Sequence, residues 1–557
     1  MTSGILTSLM ELLTRTEPLP EHTSGSAHIK NACRQLLPVV PVLVCFLWAS
    51  FYGLNFGVHW DEATAKFLSI KDTLQTGVFL QGGNTPGAAY NYGGLNYLLT
   101  WAGFAPEISH FLIHDPFTLE AFSAAIRPGL FELPVKMRVR KLYLLLCALS
   151  IVWLYSLTLV LGRSRIEALL AAAILAASWE FAYHSRWIAP DVVMMQFALL
   201  SFLCLAMGMT RKTERWFYFA AVAAGLATGT KYTGALVLPF VVAGVSHMQW
   251  RESRSLSSIL KWSTRLIGMA VVTFVTTSPG ILLDPFHFVG EIKYQQHIYA
   301  TSWFGYTVRA GLPHLSAILK YFSLVLFSHY WFISVVFALF CIVGLVALTL
   351  ELRSPSLLAI VFTVVYVGYF SAQAVMIVRN LLVVVPFLCL GAARGIIVFS
   401  ERLGTRSRLI FATILAISFA VNYGWEVYSA VQIKHRYHPE YFSKQFLDYV
   451  SKSPSGTVLL STKLLNHLQQ STHQIPQNLV NNPDLPHSKV AFLQSEGPDV
   501  HWENWPSNWW GMYEVTFGSQ EVNLDAYPTF VGNERIIVTS SEHFKKLPLK
   551  AAELHAP

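Results

Sequence analysis

Four places in this 557-residue chain carry side chains able to move a proton or hold an anion. The first is His59-Trp60-Asp61-Glu62, where two adjacent carboxylates open a stretch with Trp60, Ala63, Phe67, Ile70 and Leu74 at helical spacing. A helix N-terminus favours the ionised carboxylate, and an ionised carboxylate can act as a general base toward an acceptor hydroxyl or amine. The same acids also serve a first helical turn without any chemistry, and spacing alone does not separate the two uses. The second place is Tyr183-His184-Ser185-Arg186-Trp187-Ile188-Ala189-Pro190-Asp191. Pro190 marks a helix start there, so Asp191 is either a first-turn acid or a group that orients a donor sugar, an acceptor or a metal.

Lys231 sits in Gly229-Thr230-Lys231-Tyr232-Thr233-Gly234, a break between two apolar runs. A lysine so placed can bind a phosphate as a point charge or simply snorkel to the headgroups. Arg379 lies between two long apolar runs with almost no loop. A charge so near the bilayer is expensive and marks a functional candidate, and a guanidinium grips two phosphate oxygens at once. His59, His184, His287 and His297 fall on the same predicted side as Asp61 and Asp191. No pair has a ligand spacing that demands a metal, and a divalent ion such as Mg or Mn at Asp61 and Asp191 stays open.

The elements that must position these groups are set by composition. Hydrophobic residues make up 53% of the chain and charged ones 13%, with a mean hydropathy of +0.44. A soluble domain carries about 25% charged residues, so the solvent for most of this chain is lipid. The net charge of +8 does not indicate nucleic acid, because the basic residues form short clusters between apolar runs. The six cysteines lie mostly within apolar stretches without metal or disulfide spacing and read as small hydrophobes. The first 35 residues are polar and mixed, with no small-residue cleavage pattern after the first apolar run, so no cleavable leader is expected.

Apolar runs near 37–57, 141–162, 166–183, 190–210, 216–230, 232–249, 266–283, 321–350, 356–378, 380–399 and 409–429 predict an α-helical polytopic membrane protein of about eleven spans. Basic residues in alternate loops, among them Arg163, Arg211, Arg251 and Arg402, place the N-terminal segment 1–36 in the cytoplasm. On that topology the membrane unit spans 37–430, with outer loops at 58–138 and 284–320, and the tail 431–557 lies outside. The amphipathic stretch of the first loop is expected to lie along the membrane surface. Helical spacing near 440–452 and strand-like runs at 457–460, 490–493 and 535–538 predict a small α/β domain in the tail. Tyr90, Tyr97, Trp101, Trp303 and Tyr306 suit either sugar stacking or an interfacial belt.

Asp61-Glu62 followed by Tyr92-Gly93-Gly94-Leu95-Asn96-Tyr97 resembles the opening of the GT-C membrane glycosyltransferases. The pattern is most similar to the protein O-mannosyltransferase-like group and the lipid A aminoarabinose transferases. The stretch His184 to Asp191, the run Gly225 to Thr233, Ser278-Pro279-Gly280 through Pro285, and Arg379 through Pro386 continue the resemblance in order over roughly the first 430 residues. Asn380 follows Arg379 where an aromatic residue is common in the family, and the tail lacks the sugar-binding repeats of the eukaryotic mannosyltransferases.

The resemblance implies an inverting enzyme that takes a hexose or pentose from a polyprenyl-phosphate donor outside the cytoplasm, in a bacterial plasma membrane or an ER membrane. The acceptor is a protein, a lipid or a glycan. By the same analogy Asp61 is the base, Glu62 and Asp191 assist it, and Lys231 and Arg379 hold the donor phosphate. His59, Tyr92, His184, Arg186 and Tyr232 are candidates to line the pocket. A transporter or flippase is the rival reading, and a non-catalytic binder of a lipid-linked sugar is another; the absence of a visible two-fold repeat weighs against the transporter.

Overall fold

The computed structural model describes residues 35–52, 54–55, 90, 92–116, 118, 121, 133–302 and 307–436, together with short pieces of the tail between 447 and 540. His59, Asp61, Glu62, the surface stretch around them and most of the predicted 440–452 helix lie outside the described residues.

The protein is a polytopic helical membrane protein. Among the described residues seven helices are long and apolar enough to span a bilayer, or eight if one bent pair counts as a single span. Every one of the eleven predicted runs meets a helix. In order these are α1 (Val40–Phe51), α2 (Leu95–Gly103) and α3 (Ala105–His114) in the first loop, and α4 (Leu133–Val160). Next come α5 (Arg165–Ala176), α6 (Trp179–Ser185), α7 (Pro190–Arg211), α8 (Arg215–Thr230) and α9 (Leu238–Ser253). They are followed by α10 (Leu256–Thr277), α11 (Gly280–Leu283), α12 (Pro285–Thr301) and α13 (Leu312–Leu324). The last four are α14 (Trp331–Leu350), α15 (Ser354–Ser371), α16 (Val385–Glu401) and α17 (Thr405–Arg436).

The structure departs from the hydropathy reading at three points. The run 166–183 is bent by 59° between α5 and α6. The run 321–350 is two helices, because the chain leaves the helix at Val325 and re-enters at Trp331. Val325, Leu326 and Phe327 in that connection are buried, so hydropathy stays high across the break. The runs 216–230 and 232–249 are separate helices as read from the sequence, but the second opens with a 310 turn, Tyr232–Val237, before α9.

Burial separates central from peripheral helices. The span Val378–Glu401 is 83% buried inside the protein and α7 is 78% buried, whereas the span Thr405–Tyr428 of α17 is 11% buried. Asp191 and Arg379 thus sit on the inner spans, and α17 turns Leu409, Ile410, Ile414 and Ile417 to lipid. At one end of the bundle Glu351, just past α14, bonds Arg163 and Arg394 and lies 3.6 Å from Arg353. Glu167 joins this lattice at 3.7 Å from Arg163 and 3.5 Å from Arg394.

In the tail, β1 (Val458–Leu460), β2 (Leu479–Val480), β3 (Lys489–Ser495), β4 (Thr516–Phe517), β5 (Gln520–Glu521) and β6 (Glu534–Ser540) form one sheet in the order β2-β1-β3-β6-β4-β5. The three strands read from the sequence are β1, β3 and β6. β1 and β3 run parallel, and β3 pairs antiparallel with β6 from Lys489↔Ser540 to Ser495↔Glu534.

Candidate active site

Asp191 occupies the first turn of α7, with Pro190 ahead of it and Ala189 extended. The acid meets the positive end of the helix dipole there, and its side chain is wholly buried. α8 ends at Lys231, whose backbone is extended and whose N–H still donates to Ala227 O. α7 packs against α8, which brings the two side chains together: Lys231 Nζ donates to Asp191 Oδ1 at 2.5 Å. The third element is a second 310 turn, Val378–Val384, packed on α7. From it the Arg379 guanidinium reaches within 3.4 Å of Asp191 Oδ2.

Asp191 therefore stands between two cations, one on each oxygen. A buried carboxylate is tolerated when paired and hydrogen-bonded. The converse holds as well, since the carboxylate lets an ammonium and a guanidinium share one low-dielectric corner. Arg379 also lies over the Trp187 ring at 5.7 Å, a cation–π geometry. The Trp187 ring is 5.8 Å from that of His184. His184 Nε2 is 3.4 Å from Glu180 Oε2, and this carboxylate accepts from Tyr321 Oη at 2.8 Å.

The Tyr92-Gly93-Gly94 segment is laid across the ends of α8 and α10. Gly93 N donates to Thr230 O at 3.2 Å, Asn96 Nδ2 to the same carbonyl at 2.5 Å, and Gly94 N to Ser278 Oγ at 2.8 Å. A Cβ on Gly93 would sit 2.1 Å from Gly229 O, so only glycine fits. Tyr232 Oη donates to Tyr92 O at 3.1 Å. Tyr90 Oη donates to Gly280 O at 3.2 Å, and burial followed by the Asp284 carboxylate pushes this hydroxyl up to about 12. These contacts hold the segment on either side of Lys231.

The structure thus brings Asp191, Lys231 and Arg379 into contact, sets His184 beside Trp187, and joins Tyr92 to Tyr232. Arg186 points elsewhere, with Nη2 at 3.5 Å from the carbonyls of Ala49 and Glu426. Sequence reasoning marked Asn380 only as a departure from the family pattern, although its Oδ1 accepts from Lys231 Nζ at 2.5 Å, and passed over Glu180. Each is a polar residue within an apolar run, and that contrast was the available signal. Among the described residues no group of three or more His, Cys, Asp and Glu side chains is arranged to hold a metal. Both Asp191 oxygens face cations, a setting that opposes a further positive ion at this carboxylate.

A family model described as dolichyl-phosphate-mannose-protein mannosyltransferase matches residues 123–277. A search of curated proteins gives no significant sequence match. Among solved structures the chain is similar to ArnT from Cupriavidus metallidurans in the apo state, at 14% identity and a TM-score of 0.49, covering 90% of this chain and 97% of that one. ArnT bound to undecaprenyl phosphate gives 13% identity and a TM-score of 0.48, with 93% and 98% covered. The apo oligosaccharyltransferase of Archaeoglobus fulgidus gives 11% and 0.46, with 82% and 69% covered. The stretch similar to the mannosyltransferase model is the one that supplies Asp191 and Lys231 to the cluster.

Proposed function

We propose that this chain is an inverting glycosyltransferase that moves a sugar from a polyprenyl-phosphate donor to an acceptor on the extracytoplasmic face. The observation that carries the reading is the ion cluster, in which Asp191 holds Lys231 and Arg379 together from three separate elements. Two cations side by side suit a phosphate, and a polyprenyl phosphate presents one at the membrane surface beside the sugar to be transferred. The family-model match over 123–277 supports the same chemistry.

In this mechanism Asp61 takes the proton of the acceptor hydroxyl or amine as that atom attacks the anomeric carbon. The bond from the anomeric carbon to the phosphate oxygen breaks on the opposite side, which inverts the configuration. The leaving polyprenyl phosphate carries the electron pair away, and Lys231 and Arg379 stabilise its charge. Asp191 acts through the cations by keeping them close and oriented. Tyr92, His184 and Tyr232 line the sugar pocket in this reading, and His59 is a further candidate that lies outside the described residues. The tail 431–557 and the outer loops face the acceptor side, in a bacterial plasma membrane or an ER membrane.

The test is release of free polyprenyl phosphate from a donor labelled in either a hexose or a pentose, using purified protein in detergent or liposomes. Release that depends on acceptor and disappears in Asp61→Asn agrees with the proposal. Passage of the labelled lipid across the liposome membrane without release would assign the chain to transport instead.

A further inference from the structure

We propose that Asn380 is a positioning residue that aims the Lys231 ammonium at the donor phosphate, an inference that rests on reading Lys231 as a phosphate ligand. Asn380 is almost fully buried, at 1% exposure. Its side chain is fixed at both ends. Oδ1 accepts from Lys231 Nζ at 2.5 Å and Nδ2 donates to Tyr299 Oη at 3.1 Å. The amide cannot be reversed, because an ammonium has only donors and must face the oxygen.

The backbone of Asn380 is held as firmly. Its carbonyl accepts from Tyr366 Oη at 3.0 Å and its N–H donates to Ile377 O at 2.9 Å. Tyr299 is in turn tied at the end of α12, where its carbonyl accepts from Ala374 N at 2.7 Å. The chain from α12 through Tyr299 and Asn380 to Lys231 is therefore continuous.

An ammonium carries three protons. Among the described residues Asp191 takes one and Asn380 a second. With two directions fixed the third is fixed as well, and it is the one left for a phosphate oxygen. A neutral amide performs this alignment without cancelling charge, whereas a second carboxylate at the same place would neutralise the lysine.

That difference supplies a test which packing alone would not pass. Donor KM and kcat are measured for Asn380→Asp, Asn380→Ala, Tyr299→Phe and Lys231→Ala, alongside direct binding of polyprenyl phosphate and thermal unfolding in detergent. Asn380→Asp is nearly isosteric, yet it should raise donor KM by about tenfold or more, the scale of one charge-assisted hydrogen bond. Asn380→Ala should raise it less, and Tyr299→Phe should shift it in the same direction by a factor of roughly two to five. Acceptor KM should stay unchanged throughout.

A purely structural Asn380 gives the reverse order, with alanine worse than aspartate and losses that follow unfolding temperature; that order overturns the proposal. If Asn380→Asp does not fold, an unchanged donor KM in both Asn380→Ala and Tyr299→Phe overturns it equally. Lys231→Ala separates the two layers. Normal donor binding in that variant refutes the phosphate role of Lys231 and with it that of Asn380. Lost binding there, beside normal binding in the Asn380 variants, refutes Asn380 alone.

Discussion

Lys231 Nζ and Asp191 Oδ1 are 2.5 Å apart although forty positions separate them in the chain. One residue ends a helix and the other begins its neighbour. The pair exists because α7 and α8 pack side by side with these two ends at the same level. Neutralising the acid removes the carboxylate that Lys231 and Arg379 share in a buried corner. Asp191→Asn should therefore destabilise the protein by about 3–5 kcal/mol, the usual cost of removing one partner of a buried pair. Thermal unfolding in detergent checks this, and an unchanged midpoint would show that the carboxylate is not needed to hold the cations.

Asp61 should behave differently. Asp61→Asn keeps size and removes the proposed base, so transfer should fall by on the order of 10²–10⁴. Expression, unfolding temperature and donor binding should be retained. Wild-type turnover in this variant refutes the base assignment.

Gly93 tests the architecture rather than the chemistry. Its missing Cβ is what lets the 92–94 segment lie on Gly229. Gly93→Ala should cost about 1–3 kcal/mol through overpacking and pull the segment off the end of α8. The expected readout is a lowered unfolding temperature together with a raised donor KM.

The Glu351 lattice makes a prediction in pH. Burial alone would raise this carboxyl, but the hydrogen bond from Arg163 and the charges of Arg163, Arg394 and Arg353 outweigh it and hold the group below its ordinary 4.5. A carboxyl depressed in the folded state binds fewer protons than in the unfolded one. Its stabilising contribution is present above pH 4.5 and is lost as pH falls through the depressed folded value. Unfolding temperature should drop on the acid side, and Glu351→Gln should flatten that part of the profile. An identical acid limb in the variant would place the pH dependence elsewhere.

Much of the membrane fold was legible because a bilayer imposes one rule on every span, about 20 apolar residues in a row. The rule failed where apolar residues were used for something other than spanning. Val325 to Phe327 are buried in a connection, so the run 321–350 read as one helix. The site was legible one residue at a time. Lys231 and Arg379 stood out as charges at the edges of apolar runs, and Asp191 as the acid after Pro190. Their mutual contact was not legible, because it depends on how α7, α8 and the Val378–Val384 turn pack together. Asn380 carries no charge and hid beside Arg379.

The arginine–glutamate lattice around Glu351 also bears on how the bundle is held together. It binds the α4–α5 connection, the α14–α15 connection and α16 at the end away from Asp191. Two helix starts and one helix interior are clamped there, and the end that carries Asp191 has its own ion cluster with Lys231 and Arg379. Buried charge thus stitches the helices at two separate levels, and parting them at either one leaves an ion without its partner.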